Sequence, residues 1–495
     1  MSTPTGRDAA SALSWQAAQQ TVVKLLYLVR TPILARLLSP DDFGLLAMGL
    51  VSLDVVMRIT EVGMIPALIQ KEDADQRHYD AAWSVGVFRS ALVAVAVFVA
   101  APYIAAVFGE VRATPVIQAL GARPLLMSLA SIGVAELTRT LQFEKLTLLR
   151  LADVGVDAVL SIGLAPFLGV WALVVGSLAG PAARTVASYV VAPYRPRLRV
   201  DREAASSLIQ FGRWVFVSGL IGLSSQLVLQ AVIARQLGTA ELGLYYLAEK
   251  IAGTITEISW ELVGSVAFPW FSRLQHDRKE TERMFKGLLR GMIVVLVPVG
   301  LMLAALAPSI VADLLGPRWA GTEDVIRVMV LAALLGGFGD AADHVLRSLG
   351  HPDRAALLDA IQAVLLVSLV WEGARSFGLV GAAGAWVPAT FITQFVAYAM
   401  LRKEFESPLG GIARLTTVVL VISLAGAGVA FALDGWIGGI IGLLVGAAFG
   451  GATIVFLLVT GDTRWSLNLL QDVASLSPRM AGVIRRLGLS AESPS

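Results

Sequence analysis

The feature that most constrains this chain is a succession of apolar segments of helical length, separated by short polar breaks. A helix that crosses a membrane needs about 20 predominantly apolar residues. The pattern predicts fourteen such helices, at 15–38, 43–70, 82–108, 114–137, 147–168, 170–193, 209–236, 241–270, 286–308, 324–347, 354–375, 378–401, 413–433 and 436–460. We therefore expect an all-α polytopic membrane protein.

Composition leaves little room for another fold class. Of the 495 residues, 56% are hydrophobic and only 15% are charged, whereas soluble proteins carry about 25% charged residues. Fourteen spans would use roughly 280 residues, so no sizeable soluble domain remains. This excludes an ordinary cytosolic enzyme. The absence of cysteine also excludes disulfides, thiolate nucleophiles and cysteine-based metal sites.

Basic residues concentrate at alternate breaks between the spans. Cytoplasmic loops carry an excess of Lys and Arg, and most of the 39 basic residues fall on one side when the N-terminus is placed in the cytoplasm. The first 14 residues are polar, which is not the pattern of a cleavable signal. We therefore expect a multi-pass protein of the bacterial plasma (inner) membrane, with both termini cytoplasmic.

A short pattern occurs twice in the chain. Ala-Arg-x-Leu, followed after five intervening residues by Gly-Leu, spans 35–45 and recurs at 234–244. Each copy lies in the first hairpin of a six-helix half, and parallel repeats of this kind are a transporter architecture with the substrate path between the halves. The pattern predicts two six-helix lobes in a pseudo-twofold repeat (1–200 and 201–405), two appended helices (406–461) and a cytoplasmic tail (462–495).

Charged residues inside three spans form stripes on single helix faces, at the spacing of helical turns. Because a charge within the bilayer is costly, such a stripe normally faces a cavity or a partner. The stripes contain Lys24 and Arg30 on 15–38, Asp54, Arg58 and Glu61 on 43–70, and Lys250, Glu257 and Glu261 on 241–270.

We interpret the three stripes as the lining of one aqueous cavity with an excess of cations. Arg offers a planar donor fork and Lys a point charge, so the cavity suits a phosphate or pyrophosphate headgroup. Structural ion pairs at helical spacing are the alternative for Arg58 and Lys250. The same alternative is less favoured for Lys24 and Arg30, because no acid lies within reach on their helix. Snorkelling to the interface is the alternative for Arg89. The candidate headgroup contacts are Lys24, Arg30, Arg58, Arg89 and Lys250, with Asp54, Glu61, Glu257 and Glu261 as charge partners or gating residues.

Two acidic pairs are candidates for ion coupling, with H+ or Na+ as the ion. Asp153 and Asp157 share a face of 147–168, where a plain pair with Arg150 is the alternative. Asp340 and Asp343 lie near the inner end of 324–347, where a solvated helix end is the alternative. We expect no other cofactor and no metal.

No catalytic residue is predicted. The four histidines are scattered at loops or helix ends, and the sequence holds no HExxH motif, P-loop or nucleophile elbow. No loop exceeds about 20 residues, which leaves no room for a catalytic domain. We therefore do not expect an enzyme.

Residues 30–44 read Arg-Thr-Pro-Ile-Leu-Ala-Arg-Leu-Leu-Ser-Pro-Asp-Asp-Phe-Gly, and Glu-Val-Gly (61–63) and Ala-Leu-Ile-Gln (67–70) follow. This stretch closely resembles the opening of bacterial polysaccharide flippases of the Wzx type, in the multidrug/oligosaccharidyl-lipid/polysaccharide exporter superfamily. Ala-Glu-Lys-Ile (248–251) and Phe-Pro-Trp-Phe-Ser-Arg (268–273) extend the resemblance. It implies a two-lobed transporter that works by alternating access.

The resemblance also implies the substrate, an oligosaccharide on undecaprenyl pyrophosphate that moves to the outer leaflet for lipopolysaccharide, capsule or exopolysaccharide synthesis. In the related lipid II flippase, cationic residues of helices 1, 2 and 8 line the cavity. Arg30, Arg58 and Lys250 stand at the matching positions here, the last as lysine rather than arginine. The implied partners are membrane lipids and polysaccharide assembly proteins. No nucleic-acid partner is expected.

Two other functions are alternatives. A multidrug or small-molecule cation antiporter of the same superfamily would need an acidic, aromatic cavity, which the cationic first half disfavours. A membrane glycan polymerase would need a long loop with catalytic acids, and no such loop is present.

Overall fold

A computed structural model of the chain describes residues 6–60, 68, 76–140, 142–194, 225–271, 278–349, 351–405 and 412–465. The regular structure of these residues is helical throughout. Contacts between Cα atoms divide the chain into two compact units, Met1–Gly243 (unit 1) and Leu244–Ser495 (unit 2).

Unit 1 is built mainly from long helices. Its helices α7 and α8 pack along each other over much of their length, and α1 packs against α7. The elements are α1 (Gly6–Leu37), α2 (Pro40–Thr60), α3 (Gln76–Phe108), α4 (Ala113–Leu120), α5 (Arg123–Ser128), α6 (Val134–Arg139), α7 (Phe143–Leu168), α8 (Val170–Val191) and the described part of α9 (225–236).

The predicted span at 114–137 is not one continuous helix. The structure divides it into the short helices α4, α5 and α6. Gly121 follows α4, and Pro124 occupies the first turn of α5. Proline has no backbone N–H and starts a helix more readily than it continues one. Apolar composition alone did not reveal these breaks.

The tight hairpin predicted from 147–168 and 170–193 is confirmed. A single residue, Gly169, separates α7 from α8. Its φ is +55°, in the left-handed region that side chains with a Cβ rarely adopt. Glycine at this position therefore allows the chain to reverse within one residue.

Unit 2 continues from α10 (Thr239–Phe271), whose first turns belong to unit 1. α15 and α16 pack along each other, and both contact α11. The remaining elements are α11 (Arg278–Ser309), a π turn (Ile310–Leu315), a 3-10 turn (Pro317–Trp319), α12 (Thr322–Ser348), α13 (Pro352–Gly384), α14 (Trp386–Leu401), α15 (Ile412–Ile437) and α16 (Gly439–Trp465).

A stripe of glycines on α16 packs against α15. A Cβ added at Gly446 would lie 2.5 Å from the Ala430 carbonyl oxygen, and one added at Gly450 would lie 2.7 Å from the Ala430 Cβ. Both approaches are closer than real Cβ contacts allow. The small residues let the two helices pack closely, as the four-residue spacing of the glycines predicts.

Eight helices of the described residues are long and apolar enough to cross a membrane by length and composition. They include α3, α7 and α8 of unit 1 and α11, α12, α13, α15 and α16 of unit 2. These helices confirm a polytopic all-α membrane protein, and the count of fourteen spans stays a prediction.

Candidate functional site

The two copies of the repeated pattern meet inside unit 1. The first copy contains the turn between α1 and α2, and the second contains the turn between α9 and α10. A Cβ added at Gly44 would overlap the carbonyl oxygen of Thr239, and one added at Gly243 would overlap that of Pro40. The two backbones are therefore as close as glycine permits. We call this approach of Gly44 and Gly243 the hairpin contact.

Asp42 organises the first copy of the pattern. The Ser39 N–H donates to its Oδ2 at 2.9 Å, and the Asp42 N–H donates to the Ser39 Oγ at 3.3 Å. This reciprocal arrangement is a capping box that starts α2. The Asp42 Oδ1 also accepts from the N–H of Val170 at 2.9 Å, so one carboxylate fixes the starts of α2 and α8.

Charged residues surround the hairpin contact. Arg112 donates to Asp41 at 2.7 Å and to Glu110 at 2.7 Å, and each carboxylate accepts two of its N–H groups. The Thr239 hydroxyl donates to the same Glu110 at 2.9 Å. The guanidinium of Arg112 holds the pKa of Glu110 at about 2. Together with the hairpin contact, these four residues form what we call the hairpin cluster.

Arg30 and Asp157, predicted separately, form one ion pair between α1 and α7. The Arg30 Nη2 lies 2.9 Å from the Asp157 Oδ1 and 3.1 Å from the Ser161 Oγ. Their side chains are only 16% and 13% exposed. Helix 15–38 carries no acid in reach of Arg30, and the structure supplies one from a helix 127 residues away.

A cavity of about 670 Å³ lies within unit 1. Helices α1, α2, α3, α5, α6, α7 and α8 all contribute to its walls. Three arginines are among its described lining residues, Arg89 on α3, Arg150 on α7 and Arg184 on α8, and none of these described residues is acidic. We call this cavity the arginine pocket.

The three arginines differ in their protein contacts. Arg150 forms an ion pair with Asp153 at 3.3 Å, which agrees with the plain-pair alternative for this acid. Arg184 makes no hydrogen bond or ion pair with the described residues, although Asp153 attracts it and Arg150 repels it. The pocket therefore presents a cation that the described part of the protein does not bind.

The other predicted residues of unit 1 lie on α2 and α1. Lys24 is exposed on α1, and Asp54 is exposed on α2. Arg58 lies in α2, but its side chain is outside the described residues, as is all of Glu61. The structure thus places Lys24 and Asp54 on open surfaces of their helices.

The charged stripe of unit 2 lies on an exposed face of α10. Lys250, Glu257 and Glu261 are all exposed, and the Lys250 ammonium lies 5.5 Å from the centroid of the Tyr246 ring.

The acids of α12 have partners within unit 2. Asp340 accepts from Ser259 at 3.3 Å. Asp343 pairs with Arg347 at 2.7 Å.

Sequence reasoning missed the hairpin cluster and two arginines of the pocket. Both glycines of the hairpin contact were visible as identities of the repeat, and Arg184 was visible as a basic residue within a span. Their meaning depends on helices that are distant in sequence. No group of His, Cys, Asp or Glu in the described part of the chain is arranged to hold a metal ion.

Comparison with known proteins places these features in a family. Residues 33–324 match the protein family described as polysaccharide biosynthesis protein. The chain is 22% identical over 399 residues to the lipopolysaccharide biosynthesis protein WzxC of Escherichia coli (strain K12), covering 79% of this chain and 80% of that protein. It is 26% identical over 324 residues to the succinoglycan biosynthesis transport protein ExoT of Rhizobium meliloti (strain 1021), covering 65% of each.

Two solved structures share the fold. The lipid II flippase MurJ, in an inward closed conformation, superposes with a TM-score of 0.74 at 12% identity and covers 91% of this chain and 99% of that chain. An inward-facing multidrug resistance MATE family transporter of the MOP superfamily superposes with a TM-score of 0.61 at 14% identity, covering 81% and 99%. These likenesses confirm the predicted class of fold.

Proposed function

This chain belongs to the family of polysaccharide biosynthesis proteins, and we propose that it is a transporter that flips a lipid-linked oligosaccharide across the bacterial inner membrane. The carrier is undecaprenyl pyrophosphate, and the product serves the synthesis of a surface polysaccharide. The relatives WzxC and ExoT bear names of lipopolysaccharide biosynthesis and succinoglycan transport, which supports this role. The protein is a transporter and not an enzyme.

The observation that carries the proposal is the ion pair between Arg30 and Asp157 within the helices of unit 1. A buried guanidinium without an anion would be costly in a membrane, and Asp157 supplies that anion in the absence of substrate. A pyrophosphate presents oxygens of the same kind with more charge. We propose that the headgroup exchanges with Asp157 for Arg30 while the polyprenyl tail stays in the lipid.

The remaining candidates are proposed as parts of the same transport. Because a cationic lining disfavours an organic cation as cargo, the arginine pocket supports a flippase over a cation antiporter. We also propose that transport is coupled to H+ or Na+ and that both termini are cytoplasmic. The proposal further includes the division of the two lobes at residue 200 and contacts with polysaccharide assembly proteins. The residues involved are Lys24, Arg58, Arg89 and Lys250 for the headgroup, Asp54, Glu61, Glu257 and Glu261 as partners, and Asp153, Asp340 and Asp343 for an ion.

The test is the flipping of a labelled undecaprenyl pyrophosphate oligosaccharide in proteoliposomes. It compares the wild type with Arg30→Met and with the double variant Arg30→Met/Asp157→Leu. Removing one partner of a buried pair costs about 3–5 kcal/mol, whereas replacing both with apolar residues is often neutral. We expect Arg30→Met to lose both thermal stability and transport, and the double variant to regain stability without transport.

Arg327→Met is the matched control, because Arg327 pairs with Asp324 in an exposed position. It should transport as the wild type does. Normal transport by the double variant would reduce Arg30 to a structural partner and leave the flippase standing. A wild type that flips no lipid but exports a small cation would overturn the proposal in favour of the antiporter.

A further inference from the structure

The arginine pocket has the composition of an anion site. Its arginines come from three helices, so their guanidinium groups are held by the packing of α3, α7 and α8 and not by a loop. Its described lining contains no acidic residue, and its volume of about 670 Å³ falls in the range of ligand-binding pockets. The lining thus presents positive charge around a space that can hold a ligand.

Two lining groups have no hydrogen-bond partner among the residues that the structure describes. Arg184 makes no hydrogen bond or ion pair with the described residues, and it is partly buried between helices. Ser90 is only 1% exposed, and its hydroxyl has no hydrogen-bond partner among the described residues. Buried polar groups in proteins are nearly always hydrogen-bonded. An unmatched donor pair at one cavity indicates a ligand that supplies the acceptors.

We propose that the arginine pocket of unit 1 binds a phosphate group through Arg89, Arg150 and Arg184, with Ser90 as a further donor. Phosphate oxygens accept the two parallel N–H groups of a guanidinium, which makes arginine the preferred residue for this anion. Since Asp153 already neutralises part of the charge of Arg150, Arg184 offers more of its charge to an anion than Arg150 does.

The pocket is distinct from the Arg30 ion pair. Gln20 on α1 lines the pocket, and Arg30 lies ten residues further along the same helix. At 1.5 Å per residue this places the two levels about 15 Å apart. A phosphate in the pocket therefore does not contact Arg30, and the two positions bind separately. If the phosphate belongs to the transported headgroup, the pocket would bind it before Arg30 does, and this order rests on the proposed function.

The test is isothermal titration of the purified full chain, in phosphatidylcholine nanodiscs, with inorganic pyrophosphate. We expect the wild type to bind and Arg184→Gln to bind about tenfold more weakly, since one charged contact is lost. Arg184→Lys keeps the charge without the fork and should fall between them. Ser90→Ala tests the pocket a second time and should weaken binding a few-fold, roughly the loss of one hydrogen bond.

The control is Arg327→Gln, which removes one positive charge from an exposed pair in unit 2. It should bind pyrophosphate as the wild type does. Equal binding by the wild type, Arg184→Gln and Ser90→Ala would overturn the proposal, as would a wild type that binds no pyrophosphate. Because Arg184 and Ser90 have no hydrogen-bond partner to lose in the described part of the chain, we expect both variants to keep the thermal stability of the wild type.

A second set of nanodiscs, with phosphatidylglycerol, identifies the source of the phosphate. Weaker pyrophosphate binding there, only in proteins that retain Arg184, would assign the pocket to a bilayer lipid headgroup. Unchanged binding would assign it to the pyrophosphate of the transported carrier. Either result supports a phosphate site. If pyrophosphate binds through Arg184 but the protein flips no lipid, only the proposed function is refuted. If the protein flips the lipid but pyrophosphate binding does not depend on Arg184, only the phosphate site in the pocket is refuted.

Discussion

The hairpin cluster and the arginine pocket, both in unit 1, each contain an arginine, and the two arginines differ in exposure and in their acidic partners. Arg112 is 58% exposed and yet contacts two carboxylates through two N–H groups each. Arg184 is more buried and contacts no acid closely enough to pair, among the described residues. Electrostatics alone would predict the reverse, because water satisfies an exposed cation and a buried one needs a partner. The difference supports the proposal that Arg184 binds a ligand.

The two regions also differ in how closely the chain packs. At the hairpin contact two backbones exclude even a Cβ, whereas the pocket leaves a cavity. Both regions contact α3. Near the hairpin contact, Arg235 of the second repeat copy donates to the carbonyl of Ala106 on α3. Arg89, which lines the pocket, lies 17 residues before Ala106 on the same helix. That separation is about 25 Å along a helix. In the predicted orientation the pocket faces the cytoplasmic side and the hairpin contact the periplasmic side.

A large effect is expected where packing is closest, at Gly243→Ala. The added Cβ overlaps the carbonyl of Pro40, and such overpacking costs about 1–3 kcal/mol. The chain has no cysteine, so a single Ala234→Cys reports opening of the second repeat copy. Ala234 is 8% exposed, and we expect its labelling by a thiol reagent to accelerate roughly tenfold or more in the variant.

Gly253→Ala is the matched control, because it lies on the same helix with nothing within 4 Å of its added Cβ. It should leave the labelling rate unchanged. Slow labelling in Gly243→Ala as well would show that the hairpin contact tolerates a Cβ, and the contrast between a closed region and an open one would fail.

A smaller effect is expected from the charges around the hairpin contact. Arg112 lowers the pKa of Glu110 from its ordinary value of 4.5 to about 2. A carboxylate with a lowered pKa stabilises the fold above its ordinary pKa, and this contribution is lost as the pH falls through the folded value. We therefore expect wild type to exceed Glu110→Gln in thermal stability at pH 7, and the difference to shrink between pH 4.5 and 2.

The size of that difference is limited by solvent. Exposed ion pairs contribute about 0.2–1 kcal/mol and are screened by salt. Glu241→Gln is the control, as Glu241 lies nearby in the first turn of α10 and forms no ion pair within the described part of the chain. A stability difference for Glu110→Gln that stays constant from pH 7 to 2 would show that the carboxylate charge does not support the hairpin cluster.

Much of the fold could be predicted from the sequence because apolar length and turn residues are local signals. The hairpin of α7 and α8 and the packing glycines of α16 follow from such signals, and both are confirmed. The breaks within 114–137 were missed because glycine and proline there interrupt an otherwise apolar stretch.

The candidate site was less predictable, since its contacts join distant helices. Arg30 was recognised as a buried cation, but its partner Asp157 comes from α7 and was interpreted as an ion-coupling residue. Arg150 and Arg184 are unremarkable on their own helices, and only the packing of α7, α8 and α3 places them at one cavity. Spacing along one helix reports a shared face and does not report what that face meets.

The smallest effect, and the sharpest for the comparison, is expected from Arg184→Leu. Removing a residue from a buried pair is destabilising because it leaves the partner charge unsatisfied. Arg184 has no such partner among the described residues, so its replacement leaves none of them unsatisfied and removes a partly buried cation. We expect the thermal unfolding midpoint to stay equal or rise, whereas Arg30→Leu, which leaves Asp157 without its cation, should lower it clearly. A fall for Arg184→Leu as large as that for Arg30→Leu would mean that Arg184 stabilises the fold. The pocket arginine and the paired arginines would then share one structural role, and the pocket would lose the property that marks it as a site for a ligand.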